Sequence, residues 1–389
     1  MFDFNPDLTQ SQESHSLAPL ADNEVTVRIT STGLCGSDLH YYTHFRNGDI
    51  HVRSPLILGH ESCGYVTAIG PSVTHLKPGD FVALEVGLPC GICHLCLEGR
   101  YNICPALRFR SSAKSWPHFQ GTLQTKLNHP AERCYRLPEG FNGDMGAIIE
   151  PLSVAMHASR RAGLPRGSTV LVFGAGAVGL LCAAVAKAAG QRVIIADIQA
   201  SRVHFATTHR FADAGVVVPM QKAGAGVQEK LSLALEVAGT VGRTRLADFV
   251  LSSAGQEREV EAVDAVFECT GQESCLQAAI YATRPGGKIM LIGMGTPVQT
   301  LPISAAALRE VDLLGVFRYA DVYEDAIRLV ASRDPLLPDL GRLVTQRFRG
   351  LGEVGEAFEM AGRGWDGEGG LVIKVVVEFP EEDGETGGT

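Results

Sequence analysis

Apolar positions follow two different patterns along the chain, and the change comes at about Glu150. Before it, short β-type runs are separated by Gly, Pro and Asn, which predicts strands of an irregular, antiparallel, barrel-like unit. These runs are Glu24–Ser31, Gly64–Ile69 and Asp80–Leu84. After it, alanine-rich helical segments alternate with Val/Ile runs, which predicts a doubly wound parallel sheet. Those runs are Thr169–Phe173, Arg192–Ala196, Val263–Glu268 and Lys288–Ile292.

The end of the chain is predicted to rejoin the first unit. Beyond about Leu313, two β-type runs bracket a helical stretch, and they resemble the first unit more than the second. The runs are Leu343–Phe348 and Gly370–Val377. We therefore expect an α/β protein with two domains, one formed by residues 1–155 and 313–389 and the other by residues 156–312.

Three segments fit this pattern poorly. Residues 220–262 contain two helix-like segments and a charged loop, and we interpret this region as an insertion into the second domain. The polar residues 1–23 and the Gly/Glu-rich residues 378–389 are expected to be poorly ordered.

One window tests the possibility of a membrane protein. Gly167–Ala186 is 20 residues long without a charge, which reaches the length of a transmembrane helix. It divides, however, into a β-branched run, a glycine-rich turn and an alanine-rich helix, so we predict a strand, turn and buried helix instead. Met1–Glu24 lacks a basic region followed by an apolar stretch, and we therefore expect a cytoplasmic protein.

The charge distribution gives no support for a polyanionic partner. The chain of 389 residues has a formal net charge of −9, and over half of it lies near the C-terminus. The acidic residues concerned are Glu378, Glu381, Glu382, Asp383 and Glu385. The rest of the chain has no block of basic residues, so neither a nucleic acid nor an anionic membrane is expected to bind.

Four of the ten cysteines are crowded into one short segment. They are Cys90, Cys93, Cys96 and Cys104. Four thiolates at this spacing can surround one tetrahedral ion without leaving a position open, which suits zinc or an iron–sulfur centre. Disulfides are disfavoured in a reducing compartment. The segment therefore predicts a closed, structural metal site.

A catalytic metal would need ligands elsewhere and an open position. The candidates are Cys35, the adjacent pair His60 and Glu61, and Glu150. Each is weak by itself, because a single cysteine is usually a small core residue and a His-Glu pair is usually a surface or capping pair. The residues alone leave both interpretations open.

A glycine-rich turn follows the first strand predicted in the second domain. Gly174, Gly176 and Gly179 fit the pattern G-x-G-x-x-G between a strand-like and a helix-like run. In that context the glycines allow a tight turn, a close approach to a pyrophosphate and close helix packing. The next strand ends in Asp197, and an acid there binds ribose hydroxyls and repels a 2′-phosphate, which favours NAD over NADP.

Several short sequence motifs, which occur in the same order as in a known family, carry a resemblance that extends from about Glu24 to Val377. They are Cys35-Gly-Ser-Asp-Leu-His-Tyr41, Leu58-Gly-His-Glu61, the four-cysteine segment, Arg100-Tyr-Asn-Ile-Cys104-Pro105, Ile149-Glu-Pro-Leu-Ser153, Gly174–Gly179 and Val316-Phe-Arg-Tyr319. The chain thus resembles the zinc-dependent medium-chain dehydrogenases, specifically the polyol branch with sorbitol, xylitol and L-arabinitol dehydrogenases. It looks most like the fungal-type members.

The resemblance implies a GroES-like irregular β catalytic domain, a Rossmann cofactor domain, NAD and two zinc ions per chain. It implies that Cys35, His60 and Glu61 surround the catalytic zinc together with a water, with Glu150 as a fourth or alternating ligand. The four clustered cysteines would bind the structural zinc. Ser37 is also implied at the catalytic centre, and the implied polyol contacts are Ser37, Tyr41, Arg318 and Tyr319. The implied cofactor contacts are Gly174, Gly176, Val178, Gly179, Asp197, Arg202, Cys269, Gly271, Gly293 and Gly295.

The activity implied by the resemblance is NAD-dependent oxidation of a small sugar alcohol to a ketose, by a homotetramer. One alternative is a related zinc alcohol dehydrogenase of a specialised biosynthetic pathway. A second is a non-catalytic NAD-binding or redox-sensing protein. The chain departs from the family in residues 220–262 and at Asp7–Ser16, where the alternation of a first strand is missing.

Overall fold

The computed structural model of the chain describes residues 10–247 and 257–380. It divides into two compact units, one comprising Met1–Glu150 and Gly341–Thr389 and the other comprising Pro151–Leu340. The elements up to the division are β1 (Glu24–Gly33), α1 (Gly36–His44), β2 (Arg46–Asn47), β3 (Ile50–His51), β4 (Glu61–Ile69), β5 (Phe81–Leu84), β6 (Gly87–Leu88), α2 (His94–Leu97), β7 (Arg108–Phe109), β8 (Lys126–Pro130), β9 (Cys134–Arg136) and α3 (Gly143–Ala162). The division falls within α3.

The second unit continues with β10 (Thr169–Phe173), α4 (Ala177–Ala188), β11 (Arg192–Asp197), α5 (Ala200–Thr208), β12 (Ala214–Val217), α6 (Val227–Gly242), β13 (Arg245–Ala247), β14 (Glu257–Glu259), β15 (Val263–Glu268), α7 (Glu273–Ala282), β16 (Thr283–Leu291), α8 (Ile303–Ala307), β17 (Asp312–Gly315) and α9 (Tyr323–Ala331). The first unit is completed by β18 (Val344–Arg349), α10 (Val354–Ala361) and β19 (Lys374–Glu378). Short 3₁₀ turns cover Tyr101–Ile103, Ala131–Arg133, Leu340–Leu343 and Leu351–Glu353.

The first unit is built on a seven-stranded sheet with the order β18-β19-β1-β4-β5-β9, in which β8 also pairs with β1. Strand β1 alternates between inward apolar and outward polar residues, and Val25, Val27 and Ile29 are fully buried. Its antiparallel pairing with β4 places Gly33 opposite Glu61. This register brings the end of β1 beside the start of β4.

The second unit is built on a six-stranded sheet with the order β12-β11-β10-β15-β16-β17, and all of its strands are parallel. Strand β10 is buried along its whole length, as strands covered on both faces must be. The strand order reverses between β10 and β15, and ligands of such sheets bind at the carboxyl edge of this reversal. The doubly wound parallel sheet predicted from the sequence is confirmed.

Two observations differ from the predicted organisation. Residues 313–315 pair with β16, so the parallel sheet continues past the point at which the sequence pattern placed the change of domain. Within the described part of residues 220–262 there is one helix, α6, followed by the two short strands β13 and β14. One of the two expected helical segments is thus present, residues 245–247 pair with residues 257–259 as an antiparallel ladder, and residues 248–256 lie outside the described residues.

Gly167–Ala186 forms the predicted strand, turn and helix, with Gly174 and Gly176 between β10 and α4. In the part of the chain that the structure describes, no helix is long and apolar enough to cross a bilayer. Residues 10–23 contain no helix or strand, while residues 1–9, 248–256 and 381–389 lie outside the description.

Candidate active site and cofactor site

Cys35, His60 and Glu61 form one cluster in the first unit, and their donor atoms all lie within 4.8 Å of one another. Cys35 stands two residues beyond the end of β1 and immediately before α1, and Glu61 opens β4. Because Gly33 pairs with Glu61, the sheet register brings the three donors together. A side chain at position 33 would displace the Glu61 carboxylate, since a Cβ there would lie 2.3 Å from its Oε2.

This donor set fits a zinc ion. Zinc bonds of about 2.0–2.3 Å to sulfur, nitrogen and carboxylate oxygen place neighbouring donors within the separation seen here. Nδ1 of His60 donates to Oδ1 of Asp38 at 3.1 Å, which leaves Nε2 for a metal. Three protein ligands leave a position open, as a catalytic site requires.

Asp38 holds this cluster in place through hydrogen bonds. Its buried carboxylate accepts hydrogen bonds from the Gly59 amide at 3.1 Å, the Ser111 hydroxyl at 2.5 Å and the Cys35 amide at 3.3 Å, besides that from His60. Burial raises the pKa of Asp38, but the charge of His60 and the hydrogen bonds from His60, Ser111 and Gly59 outweigh it, so the net pKa is lowered. The carboxylate therefore orients both the His60 ring and the turn that carries Cys35.

Lys374, the first residue of β19, reaches the same cluster. Its ammonium group donates to both oxygens of Glu61, at 2.9 and 2.7 Å, and to the carbonyl of Leu34 at 3.0 Å. Both side chains are almost completely buried. Burial lowers the pKa of Lys374, but the charge of Glu61 outweighs it, and the net pKa is raised. The carboxylate of Glu61 is thereby paired with a cation.

Glu150 lies in α3 and is buried, but it does not belong to the closely spaced donor set of the described residues. Its charge contributes to raising the pKa of Lys374, so it lies in the same electrostatic neighbourhood. The structure thus brings together three of the four predicted catalytic-zinc ligands. A direct role of Glu150 as ligand stays a prediction.

The predicted substrate residues divide between the units. Ser37 and Tyr41 lie in α1 of the first unit, where the Tyr41 hydroxyl accepts a hydrogen bond from the Ala113 amide at 3.3 Å. Arg318 and Tyr319 follow β17 in the second unit, and Tyr319 is buried. Their roles stay predictions.

The four clustered cysteines have converged into a second donor set in the first unit. Their sulfur atoms are separated by 3.5 Å (Cys93–Cys96), 3.6 Å (Cys90–Cys104), 3.8 Å (Cys93–Cys104) and 3.9 Å (Cys90–Cys96). A zinc tetrahedron with bonds of about 2.3 Å has edges of about 3.8 Å, so these residues fit a structural zinc. All ten cysteines of the chain are free thiols.

A buried carboxylate connects this segment to the sheet. Glu85, just after β5, accepts hydrogen bonds from the hydroxyls of Tyr101 and Tyr135 at 2.6 and 2.8 Å and from Arg133 at 3.0 Å. Because Tyr101 lies three residues before Cys104, the fourth cysteine is held in position by the sheet.

The glycine-rich turn lies at the carboxyl end of β10 in the second unit. Gly174 has a φ of +94°, which favours glycine, and a Cβ on Gly179 would lie 1.8 Å from the carbonyl oxygen of Gly174. A Cβ on Gly176 would meet nothing within 4 Å. Val178 lies in the first turn of α4 and is partly exposed. The turn and the helix N-terminus therefore have the geometry that accepts a pyrophosphate.

Asp197 ends β11, the neighbouring strand, and is joined to this turn. Its carboxylate accepts hydrogen bonds from the amides of Ala175 at 2.7 Å and Gln199 at 2.9 Å. Arg202 on α5 donates to the Gln199 side chain at 3.0 Å. Burial lowers the pKa of Arg202, with Asp197 acting in the opposite direction.

The loops after β15 and β16 lie against each other. A Cβ on Gly271 would come within 2.3 Å of the Gly295 amide, and one on Gly293 within 2.1 Å of the Gly271 amide. The backbones are therefore in direct contact. Cys269 opens the first loop, and its sulfur lies 3.9 Å from that of Cys182 on α4. All predicted cofactor residues lie in the second unit.

Sequence reasoning missed several residues of these sites. Asp38 lies inside one of the motifs that carry the family resemblance, so its part in the site could have been predicted from that motif. Lys374 had a weaker signal, a single lysine directly before three consecutive valines. Ser111 and the ring of Phe109, which packs edge-on against His60 at 5.5 Å, had no local signal.

The comparisons with known proteins agree with this geometry. Residues 21–139 match the alcohol dehydrogenase GroES-like domain, and residues 177–332 match the zinc-binding dehydrogenase family. The chain is 39% identical to the sorbitol dehydrogenase of Rattus norvegicus over 372 residues, which is 95% of this chain and 93% of that protein. It belongs to the zinc-dependent medium-chain dehydrogenases, in the polyol branch that includes the sorbitol dehydrogenases.

More distant members of the family agree with this assignment. The sorbitol dehydrogenase of Arabidopsis thaliana is 36% identical over 350 residues, which is 90% of this chain and 88% of that protein. Among solved structures, L-idonate 5-dehydrogenase from Escherichia coli aligns with a TM-score of 0.74 and 26% identity, covering 92% of each chain. The predicted combination of a GroES-like domain with a Rossmann domain is confirmed.

Proposed function

We propose that this chain oxidises a secondary hydroxyl group of a sugar alcohol to a ketone, with hydride transfer to NAD. The observation that carries the proposal is the cluster of Cys35, His60 and Glu61, which presents three unlike donors, one fewer than a four-coordinate zinc requires. It is supported by the glycine-rich turn and Asp197 of the second unit, which suit NAD, and by the family of the chain.

When bound, zinc supplies a Lewis acid that lowers the pKa of an alcohol, and NAD supplies the hydride acceptor. Cys35, His60 and Glu61 would hold the metal, while Asp38 keeps the ring of His60 oriented. Lys374 offsets part of the negative charge of the donor set. Ser37 and Tyr41 are proposed to hold substrate hydroxyls from α1, and Arg318 and Tyr319 are proposed as further polyol contacts.

A second zinc is proposed at Cys90, Cys93, Cys96 and Cys104. With four thiolates it has no open position, so its role is to hold the segment folded. Glu150 is proposed as a ligand that alternates with Glu61 or with water.

The decisive experiment is a panel of sorbitol, xylitol, L-arabinitol, galactitol, ethanol and benzyl alcohol, assayed by NADH formation with matched NADP reactions. We expect turnover of polyols with NAD. Turnover of the simple or aromatic alcohols alone would favour the alternative zinc alcohol dehydrogenase. Turnover of no alcohol, in a protein that binds NADH, would favour the non-catalytic alternative.

Metal analysis provides the second test. Two zinc ions per chain are expected, and Cys104→Ser should reduce the count to one while the catalytic zinc remains. Cys275→Ser is a matched control, because Cys275 belongs to neither donor set. One zinc per wild-type chain would contradict one of the two proposed sites.

We also propose that the chain forms a homo-oligomer, a tetramer by analogy with its family. Strand β17 is the end strand of the parallel sheet, and Val298 and Leu308, which precede it in the chain, are 83% and 87% exposed. Light scattering should give a tetramer mass for the wild type and a smaller mass for Leu308→Glu. A monomeric wild type would refute this.

A cytoplasmic location is proposed as well, and the ten free thiols are consistent with a reducing compartment. Imaging of a fluorescent fusion would test it, and accumulation in a secretory compartment would contradict it.

A further inference from the structure

Glu268 is a buried carboxylate that the proposed reaction does not use. It is the last residue of β15, beside β10 at the reversal of strand order, and only 3% of its surface is exposed. Burying a carboxylate is unfavourable unless hydrogen bonds compensate for the lost water. The hydrogen bonds that Glu268 makes therefore indicate its structural role.

The side chain of Glu268 holds the loop that follows it. Its carboxylate accepts hydrogen bonds from the amide of Thr270 at 2.8 Å, from the amide of Gly271 at 3.0 and 3.1 Å, and from the hydroxyl of Thr270. All of these partners are donors. A carboxylate, which only accepts, matches them, whereas an amide side chain would direct its NH₂ group at one of them.

The main chain of Glu268 holds the second loop. Its carbonyl oxygen accepts hydrogen bonds from the amides of Ile292 at 3.0 Å and Gly293 at 2.9 Å. One residue thus binds both loops at the carboxyl edge of the sheet. A Cβ on Gly174 would also come within 2.9 Å of the Thr270 side chain, so the loop is packed against the glycine-rich turn as well.

We propose that Glu268 is a positioning residue for NAD, which sets the backbone of residues 269–271 and 293–295 in its binding conformation before the cofactor arrives. Loops that are already ordered lose less entropy on binding, so affinity rises without a direct contact. The inference rests on the proposed use of NAD by this chain. It goes beyond that function by assigning the preorganisation of the site to one carboxylate.

The test is the dissociation constant of NADH for Glu268→Gln, measured by fluorescence titration of the full chain. We expect this constant to rise about tenfold, the equivalent of about 1.4 kcal/mol. The KM for NAD should rise in parallel, while kcat at saturating NAD and polyol stays within about twofold of the wild type.

Asp264→Asn is a matched control at the opposite end of the same strand. Asp264 also accepts a backbone hydrogen bond, from Thr169 at 2.7 Å, and one from Arg284 at 2.7 Å. Its substitution should lower stability in urea without changing NADH affinity. If Asp264→Asn weakens NADH binding as much as Glu268→Gln does, the effect is general destabilisation and the proposal fails.

A second pair of variants decides the matter if Glu268→Gln does not fold. Thr270→Val removes the hydroxyl that donates to Glu268 and keeps the shape, whereas Thr270→Ser keeps the hydroxyl. We expect weaker NADH binding for the first variant and nearly wild-type binding for the second. Equal affinities in both, or a wild-type affinity in Glu268→Gln, would overturn the inference. A wild-type chain that binds no NADH would instead overturn the proposed function, and this inference with it.

Discussion

At the scale of single residues, both carboxylate oxygens of Glu61 are held by one ammonium group, that of Lys374. The pair is buried, so the charge of each partner depends on the other. Removing one partner of such a pair leaves an uncompensated charge in the interior, which is far more unfavourable than losing an exposed ion pair.

Lys374→Met should therefore destabilise the metal-free protein. We expect the free energy of unfolding of the first unit to fall by about 3–5 kcal/mol, measured by urea denaturation. Lys187→Met, which breaks a partly exposed pair with Asp213, is the control, and it should lower the free energy of unfolding of the second unit, where both residues lie, by about 1 kcal/mol or less. Equal losses in the two variants would show that burial does not set the strength of the Lys374 pair.

Asp197 is predicted to select NAD over NADP by its charge. Asp197→Ser removes the carboxylate that would repel a 2′-phosphate, so the preference for NAD over NADP should fall by at least about tenfold. The measurement is the ratio of kcat/KM for the two cofactors. Asp213→Asn is the control, because Asp213 lies at β12 and is no cofactor candidate. Unchanged selectivity in Asp197→Ser would contradict the assignment.

At the scale of elements, the turn between β10 and α4 contains glycines that serve different purposes. Gly179 is required by the protein itself, because a Cβ would collide with the Gly174 carbonyl. Gly176 has open space around it. The fold therefore has room for a side chain at position 176, and the proposed reason for a glycine there is the close approach of the cofactor.

The two substitutions by alanine should separate these roles. Gly176→Ala should keep the thermal stability of the wild type and weaken NADH binding by about tenfold or more, because a methyl group then faces the pyrophosphate. Gly179→Ala should lower the melting temperature as well. Calorimetry and NADH titration measure the two effects, and a Gly176→Ala variant with normal affinity would place the pyrophosphate elsewhere.

At the scale of the whole molecule, the two sites belong to different units. Every predicted zinc ligand lies in Met1–Glu150, and every predicted NAD contact lies in Pro151–Leu340. The chemistry of metal and cofactor is therefore divided along the chain, although the reaction needs both.

Removal of the metal should reveal this division. Treatment with a chelator should abolish polyol oxidation, while the dissociation constant of NADH stays within about twofold, since Asp197 and the glycine-rich turn contain no metal ligand. Added zinc should restore oxidation, which is the control for damage. Loss of NADH binding together with zinc would show that the second unit depends on the metal.

The features that could be predicted from sequence are those with local causes. The alternation of polar and apolar residues predicted β1, and a run of β-branched and apolar residues predicted β10, because burial on one or both faces determines these patterns. The four cysteines and the glycine-rich turn are likewise contained in short segments. The residue types and their spacing within each segment are enough to predict what the segment binds. Resemblance to a family supplied the predicted ligands Cys35, His60 and Glu61, whose role the residues alone left open.

The arrangement around those ligands depended on the tertiary structure. Lys374 is separated from Glu61 by 313 positions, and Ser111 from Asp38 by 73, so no local pattern connects them. The pairing of β13 with β14 within residues 220–262 was not predicted from the sequence either. The sequence by itself thus determined the elements and the donor types. Only the folded chain decided which buried charges meet, because the register between distant strands sets those distances.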